Sequence, residues 1–531
     1  MSRGLIAAGH AETARAAATM LEAGGNAFDA ALAGLCAACV AEPVLNSLGG
    51  GGFLLARPAT GPREGQAVLY DFFTQTPRVR RPDSETDLYP ILADFGPATQ
   101  EFHIGFGALA VPGTVRGLFR AHRDLGRMPM AEIVEPARAL ARAGVPMNRL
   151  QAFILSVVGP ICLSSPASRA VYGRQDAPDR LMAAGEAPRL AALADTFDAL
   201  AHEGEDLFYR GEMTAPMLED CLAGGGHLTR ADLEAYAVIP RRPLAFEALG
   251  AHLMTNPPPS TGGLLIAFAL ELLDRPDLPS LDPGSAAYLT RLVRAMDLTN
   301  RARVESGLRD ASAEEAAERL LDPAFVALYR DRVMAAPQAR RGTTHISVID
   351  AQGNAAALSL SNGEGSGYLI PGTGIMMNNM LGEEDINPHG FNRWPPDRRM
   401  GSMMAPTLAM GADGAITVLG SGGSNRIRTA ILQVLLNTLA FGDPLDVAVA
   451  RPRVHFEDGR LNVEDGPPDP AAEGLDFRPE VLAGLGDLAD DLHPWGGPNM
   501  FFGGVHAVRR HSDGRLEGGG DPRRGGVVVT V

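Results

Sequence analysis

Small and apolar residues recur at helical spacing over 11–23, and Gly24-Gly25 follows them as a C-terminal stop. Asn26 is placed to cap a second predicted helix, which runs to Ala41 and ends before Pro43. Leu48-Gly49-Gly50-Gly51-Gly52-Phe53 then leads into an apolar, strand-like run. Four glycines there imply a close backbone approach, either to a packed neighbour or to a ligand. From about 110 to 340 the pattern is mainly helical, interrupted by the extended Pro257-Pro258-Pro259-Ser260, and residues 310–338 predict an exposed helical region. At 343 the period changes. Thr344–Asp350 and Ala355–Ser361 alternate as two strands about the turn Gln352-Gly353-Asn354, with Ile346 and Val348 on one face. Further strands are predicted at 373–378, 415–420 and 503–508, a helix at 427–441, and surface loops at 385–399 and 464–474. The first two thirds are therefore α-rich and the last third β-rich.

Composition narrows the classes. The 531 residues allow about three domains by length alone. With 45% hydrophobic and 21% charged residues the chain is globular rather than disordered. A net charge of −16 has the wrong sign for nucleic acid or an anionic membrane surface, so neither is an expected partner. All 47 basic residues are arginine, which excludes a Walker A loop, a pyridoxal Schiff base and a Ser-x-x-Lys hydrolase. Four cysteines are too few for a disulfide framework, and Cys36 and Cys39 lie in an apolar stretch where core packing is the expectation. The first residues lack the apolar core of a secretory leader, and the expected location is the cytoplasm.

Two short segments carry candidate chemistry. In Gly342-Thr343-Thr344-His345, a chain cut before Thr343 would free an α-amine with a reference pKa of about 7.7–8.0, able to take the proton of the neighbouring hydroxyl. An unhindered glycine on the other side suits an N→O acyl shift. Taken alone, the same residues also read as a loop before a strand. Gly420-Ser421-Gly422-Gly423-Ser424 sits between a short apolar strand and a helix, and is either an oxyanion-binding turn or a tight structural one. No histidine pair has metal-ligand spacing, so no metal and no organic cofactor is expected.

Together with other motifs, these segments resemble the γ-glutamyltranspeptidases over nearly the whole chain. The motifs, in the family's order, are Gly24-Gly25-Asn26-Ala27, Leu48–Phe53, Val111-Pro112-Gly113-Thr114-Val115, Pro257–Gly263 and Thr343-Thr344-His345. Pro371-Gly372-Thr373-Gly374-Ile375, Asn378-Asn379, Pro406-Thr407, Gly422-Gly423-Ser424 and Asp521-Pro522-Arg523 follow. The resemblance implies an N-terminal nucleophile hydrolase: a four-layer αββα sandwich whose precursor cleaves itself at Gly342–Thr343 into a large subunit, 1–342, and a small one, 343–531. It implies Thr343 as nucleophile, Gly422 and Gly423 as the oxyanion pair and Ser361 as the hydroxyl beside the nucleophile. Asn362, Glu383 and Ser402 fall at substrate-binding positions, Asn362 after a one-residue gap.

The departures concern the acyl group. The family's Asp-Phe-Arg, whose arginine clamps the glutamyl α-carboxylate, is here Asp71-Phe72-Phe73, and its glutamine after the paired asparagines is Met380. Losing a bidentate clamp costs about 2–5 kcal/mol of binding. Phe73 and Met380 are candidates for an apolar acyl pocket, and Arg78, Arg80 and Arg81 are candidates to replace the clamp or are ordinary surface arginines. The expected substrate is glutathione or another γ-glutamyl amide, with water or an amine as acceptor. The alternative is an amidohydrolase with a non-glutamyl acyl group, resembling the oxamate-hydrolysing or cephalosporin-acylase branches. A third reading keeps the fold for binding alone. Asn387–Arg399, with Trp394-Pro395-Pro396, lies where some members of the family carry a lid and reads either as an ordinary surface loop or as such a lid.

Overall fold

A computed structural model describes residues 2–94, 99–174, 176–308, 313–330, 343–387, 389–457, 459–466, 481, 485 and 491–531. Two β-sheets stack face to face with helices on both outer sides, giving the αββα sandwich. The first sheet has seven strands in the order Val527–Thr530, Gly4–Ala8, Thr344–Asp350, Ala355–Ser361, Gly51–Arg57, Val68–Phe72 and Ile239–Arg241. The second has six: Leu516–Gly520, Gly504–Arg510, Ile416–Gly422, Thr407–Gly411, Ala251–Thr255 and Leu244–Ala248. Each sheet takes strands from both sides of position 343.

The period-2 geometry of a strand divides its side chains between two cores. Ile6, Leu54, Ile346, Val348 and Leu358 face the helices Ala11–Glu22 and Ala27–Ala41. Leu5, Leu55, Ile349 and Ala357 face the second sheet, whose outer side is covered by Gly262–Leu273, Ala286–Glu305 and Arg426–Leu435. The predicted strands at 344–350 and 355–361 form with those bounds, paired antiparallel.

The second predicted helix forms as Ala27–Ala41. Asn26 accepts from Phe28 N and Asp29 N, and the Asp29 carboxylate accepts from Asn26 N, a reciprocal capping box. All its residues are buried, which places Cys36 and Cys39 in the core; burial drives the Cys36 thiol far from its ionised form. The glycine run serves close packing. A β-carbon on Gly49 would meet Met376 O at 2.4 Å, one on Gly50 would meet Ser361 O at 2.4 Å, and one on Gly52 would meet Ser359 O at 2.3 Å.

Two expectations change. The region 239–255 is not helical but supplies three strands that extend both sheets. The predicted strand at 373–378 makes only the isolated bridges Leu369↔Met376 and Gly49↔Met377. The helical prediction at 310–338 survives as Ala313–Leu320 and Pro323–Arg330, with 331–342 outside the described residues. Most of 464–474 lies outside them too.

Candidate active site

Thr343 stands immediately before the strand Thr344–Asp350, at the mouth between the sheets, and is buried. Gly342, the other half of the expected cleavage point, lies outside the described residues. The antiparallel register pairs Leu360 with Thr344, and one step further along it sets Ser361 across from Thr343. Ser361 is also buried, and its hydroxyl accepts from Gly363 N at 3.1 Å.

The Gly422-Gly423 turn arrives from the facing sheet, at the end of the strand Ile416–Gly422. A β-carbon on Gly422 would lie 1.7 Å from the Thr343 carbonyl oxygen, so only glycine fits. Gly423 has φ +124° and Ser424 φ +49°, a left-handed pair that reverses the chain into the helix Arg426–Leu435. Among the described residues the Gly423 N–H has no acceptor. This turn is secured from below: the Ser424 hydroxyl donates to the Asp385 carboxylate at 2.5 Å. Burial pushes the Asp385 carboxyl up to about 6, against the lowering effect of that hydrogen bond.

On the side of Ser361, the Glu383 carboxylate and the Asn379 amide press on the Gly363 α-carbon, where a β-carbon would meet them at 2.2 and 2.1 Å. Asn362 points its amide nitrogen toward Met377 O, at 3.5 Å, and its Oδ1 is buried without a partner among the described residues. Ser402 accepts from Met404 N at 3.0 Å, and its carbonyl accepts from Thr261 N at 2.9 Å, so the Pro257–Gly263 motif grips the 402–404 segment.

A cleft opens on the other side of Thr343. Of the expected site residues, only Thr343 and Gly422 line it. Glu42, Arg524 and His506 line it as well, with Leu45, Leu150 and Ile154 as an apolar wall. Glu42, at the end of the Ala27–Ala41 helix, accepts from the Thr344 hydroxyl at 2.8 Å and from the Thr13 hydroxyl at 2.8 Å. Arg524 donates from Nη1 to the Thr343 carbonyl at 3.1 Å. His345 is buried between the Ser359 and Ser347 hydroxyls, at 2.8 and 3.0 Å, and burial holds its ring neutral. The sequence reading picked out neither Glu42 nor Arg524 as a site residue. Glu42 is a single acid at the end of an apolar helix and Arg524 stands just past the Asp521-Pro522-Arg523 motif, and only the fold brings them to Thr343.

Phe73 does not reach that cleft. It is buried in the core between the sheets and stacks on Phe53, with ring centroids 5.4 Å apart, and Met380 belongs to the same core. The phenyl ring thus fills inter-sheet volume and lines no part of this cleft, which Asn362, Glu383 and Ser402 do not line either. Asp71, two residues earlier, is locked between Arg399 at 2.8 Å and Arg241 at 2.7 Å. Arg78, Arg80 and Arg81 do not line the cleft either. Arg78 pairs with Asp397 at 3.5 Å, Arg80 donates to Trp394 O at 3.3 Å, and Arg81 donates to Leu222 O at 3.1 Å. Two of these arginines thus help fasten the 389–399 segment along residues 74–83, where Thr76 also donates to Pro395 O at 2.7 Å and Asp397 N to Pro77 O at 3.0 Å.

Two stacked sheets with a threonine opening a central strand, faced by a diglycine turn, define an N-terminal nucleophile hydrolase. The chain belongs to the γ-glutamyltranspeptidase family, whose sequence profile matches residues 13–531. It is 31% identical to a glutathione hydrolase proenzyme of Pseudomonas aeruginosa, over 99% of this chain and 94% of that protein. It is 29% identical to the Acylase ACY 1 proenzyme of Pseudomonas sp. strain V22, over 100% of this chain and 94% of that protein. Among solved structures, a cephalosporin acylase from Bacillus halodurans superposes with a TM-score of 0.82 at 23% identity, covering 99% of this chain and 96% of that one. The γ-glutamyltranspeptidase of Helicobacter pylori superposes at 0.53 and 24% identity, covering 62% and 91%. The chain is thus an amide-directed enzyme of the family that unites transpeptidases and acylases.

Proposed function

We propose that the protein is a self-cleaving threonine amidase. In the precursor, the Thr343 hydroxyl adds to the carbonyl carbon of Gly342, the Gly342–Thr343 C–N bond breaks, and the proton ends on the freed α-amine. Water then hydrolyses the resulting ester, releasing Gly342 as a carboxylate and restoring the hydroxyl. In turnover the same hydroxyl attacks a substrate amide, the α-amine carries the proton to the leaving amine, and water or an acceptor amine releases the acyl group. The Gly422-Gly423 turn stabilises the oxyanion, and Ser361 supports the nucleophile. The observation that carries this reading is the juxtaposition of Thr343, Ser361 and the diglycine turn at one mouth between the sheets.

For the acyl group, Asn362, Glu383 and Ser402 supply the polar contacts. A γ-glutamyl donor such as glutathione is the family expectation. The replacement of the family's clamping arginine by Phe73, which stacks on Phe53, favours an acyl group other than γ-glutamyl.

Intact mass of the purified chain, wild type beside Thr343→Ala, tests the chemistry. Two fragments from the wild type, the smaller beginning at Thr343, and one uncut inactive chain from the variant are expected. A cleaved Thr343→Ala protein overturns the assignment. Parallel assays of γ-glutamyl-p-nitroanilide and of amides without an amino-acid head group separate the substrates: robust turnover of the former, inhibited by glutathione, overturns the non-glutamyl reading.

A further inference from the structure

We propose that Arg524 is a positioning residue for the nucleophile, acting through the backbone carbonyl of Thr343. The inference rests on the reading of Thr343 as nucleophile. Arg524 follows Asp521-Pro522-Arg523, and the two adjacent arginines have opposite surroundings. Arg523 is locked between carboxylates, with Asp521 at 3.2 Å and Glu464 on its other side. Arg524, equally buried, has no carboxylate within ion-pair distance among the described residues. Its Nη1 donates to the Thr343 carbonyl at 3.1 Å and its Nη2 to the Met500 carbonyl at 3.4 Å, while Nε has no partner among the described residues. Burying a guanidinium with only carbonyls in contact is costly, and a residue needed merely for packing would not require the charge. Burial lowers its pKa to about 10, with Glu364, Asp521 and Glu42 opposing that from a distance, and it remains a cation at neutral pH.

Space for this side chain is cleared by glycines. A β-carbon on Gly504 would meet Arg524 Cδ at 2.6 Å and one on Gly422 would meet Nη1 at 3.2 Å, while Gly423 lies beside Nη2 at ordinary contact distance. The guanidinium therefore touches both the nucleophile's residue and the diglycine turn. Holding the Thr343 carbonyl limits rotation about its Cα–C bond, and so sets the direction of the Cα–Cβ bond that carries the hydroxyl. The Glu42 carboxylate holds the next residue through the Thr344 hydroxyl, so the first two residues of the strand are gripped from two sides. That hold is needed twice, once for self-cleavage and once in every turnover, before and after the Gly342–Thr343 bond is broken.

The test is Arg524→Ala and Arg524→Lys beside Thr343→Ala and wild type. The readouts are the cleaved fraction against time by intact mass, and kcat and KM on an amide that wild type hydrolyses. Arg524→Ala is expected to lower the cleavage rate and kcat by about 100-fold with KM within about 3-fold, the signature of lost orientation rather than lost binding. Guanidinium at tens of millimolar should restore part of both rates in Arg524→Ala and do nothing for Thr343→Ala. Arg524→Lys should fall between the two. Wild-type rates in Arg524→Ala, or a loss that guanidinium does not relieve and that lysine suffers in full, overturn the proposal. If Arg524→Ala does not accumulate as folded protein, Arg524→Lys alone decides: unchanged cleavage rate and kcat count against positioning, a kcat loss at constant KM supports it. An active, cleaved Thr343→Ala variant would instead defeat the underlying assignment, whatever Arg524 does.

Discussion

The carbonyl oxygen of Thr343 rests on the α-carbon of Gly422, so closely that a β-carbon on Gly422 would stand 1.7 Å from it. No rotamer relieves a contact between a β-carbon and a backbone oxygen. Gly422→Ala must therefore displace either the start of the Thr344–Asp350 strand or the diglycine turn. A shift of about 1 Å at reacting groups lowers rates about 100-fold, and that loss is expected in both self-cleavage and turnover. Circular dichroism and intact mass on one sample check it; a folded variant that cleaves at the wild-type rate would contradict the geometry.

Glu42 accepts from two buried hydroxyls, Thr13 and Thr344. Glu42→Gln keeps one acceptor and lets the other hydroxyl turn, and is expected to cost about 1 kcal/mol with a modest slowing of cleavage. Glu42→Ala leaves both hydroxyls without this acceptor and should cost about 2–3 kcal/mol, with slower cleavage than in Glu42→Gln. Denaturant midpoints and a cleavage time course rank the two; the reverse order would show that the carboxylate does not hold Thr344.

Phe73→Arg would recreate the family's clamp at the level of sequence. In the fold it puts a cation into the inter-sheet core against Phe53, and an unpaired buried charge costs about 3–5 kcal/mol. A large fall in melting temperature and soluble yield is expected, with no gain of γ-glutamyl turnover. A stable variant with raised γ-glutamyl activity would mean that this position reaches the substrate.

His506 is buried, and burial lowers its pKa to about 4 from the ordinary 6.5, against the raising effect of Asp521 and with a further lowering by Arg524 and Arg453. The unfolded chain takes this proton below about 6.5 and the folded chain only below about 4. The contribution is thus complete above pH 6.5 and is lost as pH falls towards 4, to the extent of about 3 kcal/mol. His345 shifts in the same direction. Denaturation midpoints at neutral and acid pH should diverge more in wild type than in His506→Gln; equal pH dependence in the two would refute the assignment.

What could be seen in the sequence was what repeats locally. The strands 344–350 and 355–361 announce themselves through alternation about a Gly-Asn turn, and the Ala27–Ala41 helix through Asn26 and Asp29. The hairpin at 244–255 carried a similar signal, with Leu244, Phe246 and Ala248 alternating before Leu249-Gly250, but in short strands set in a helical region. Ile375–Met377 reads as a strand by propensity, yet Gly372 and Gly374 at positive φ bend the chain before it can pair. Thr343, Ser361 and the diglycine turn lie in segments with their own pattern, so the residues of the proposed site that meet between the sheets could be named from the sequence. Arg524 and Glu42 have no local pattern, and the side chain of Phe73 took a direction that only the packed sheets decide.

The strand Gly4–Ala8 lies between Val527–Thr530 and Thr344–Asp350, and Val531 N donates to Gly4 O at 3.0 Å. The two ends of the described chain are thus joined by hydrogen bonds, next to the strand that Thr343 opens. A short peptide linking residue 531 to residue 2 would make a circular permutant whose gene begins at Thr343. Its nucleophile would be exposed by removal of an initiator methionine, with no peptide bond left for it to cut. Maturation and catalysis, fused in the natural order of the chain, would become separable by rewiring alone.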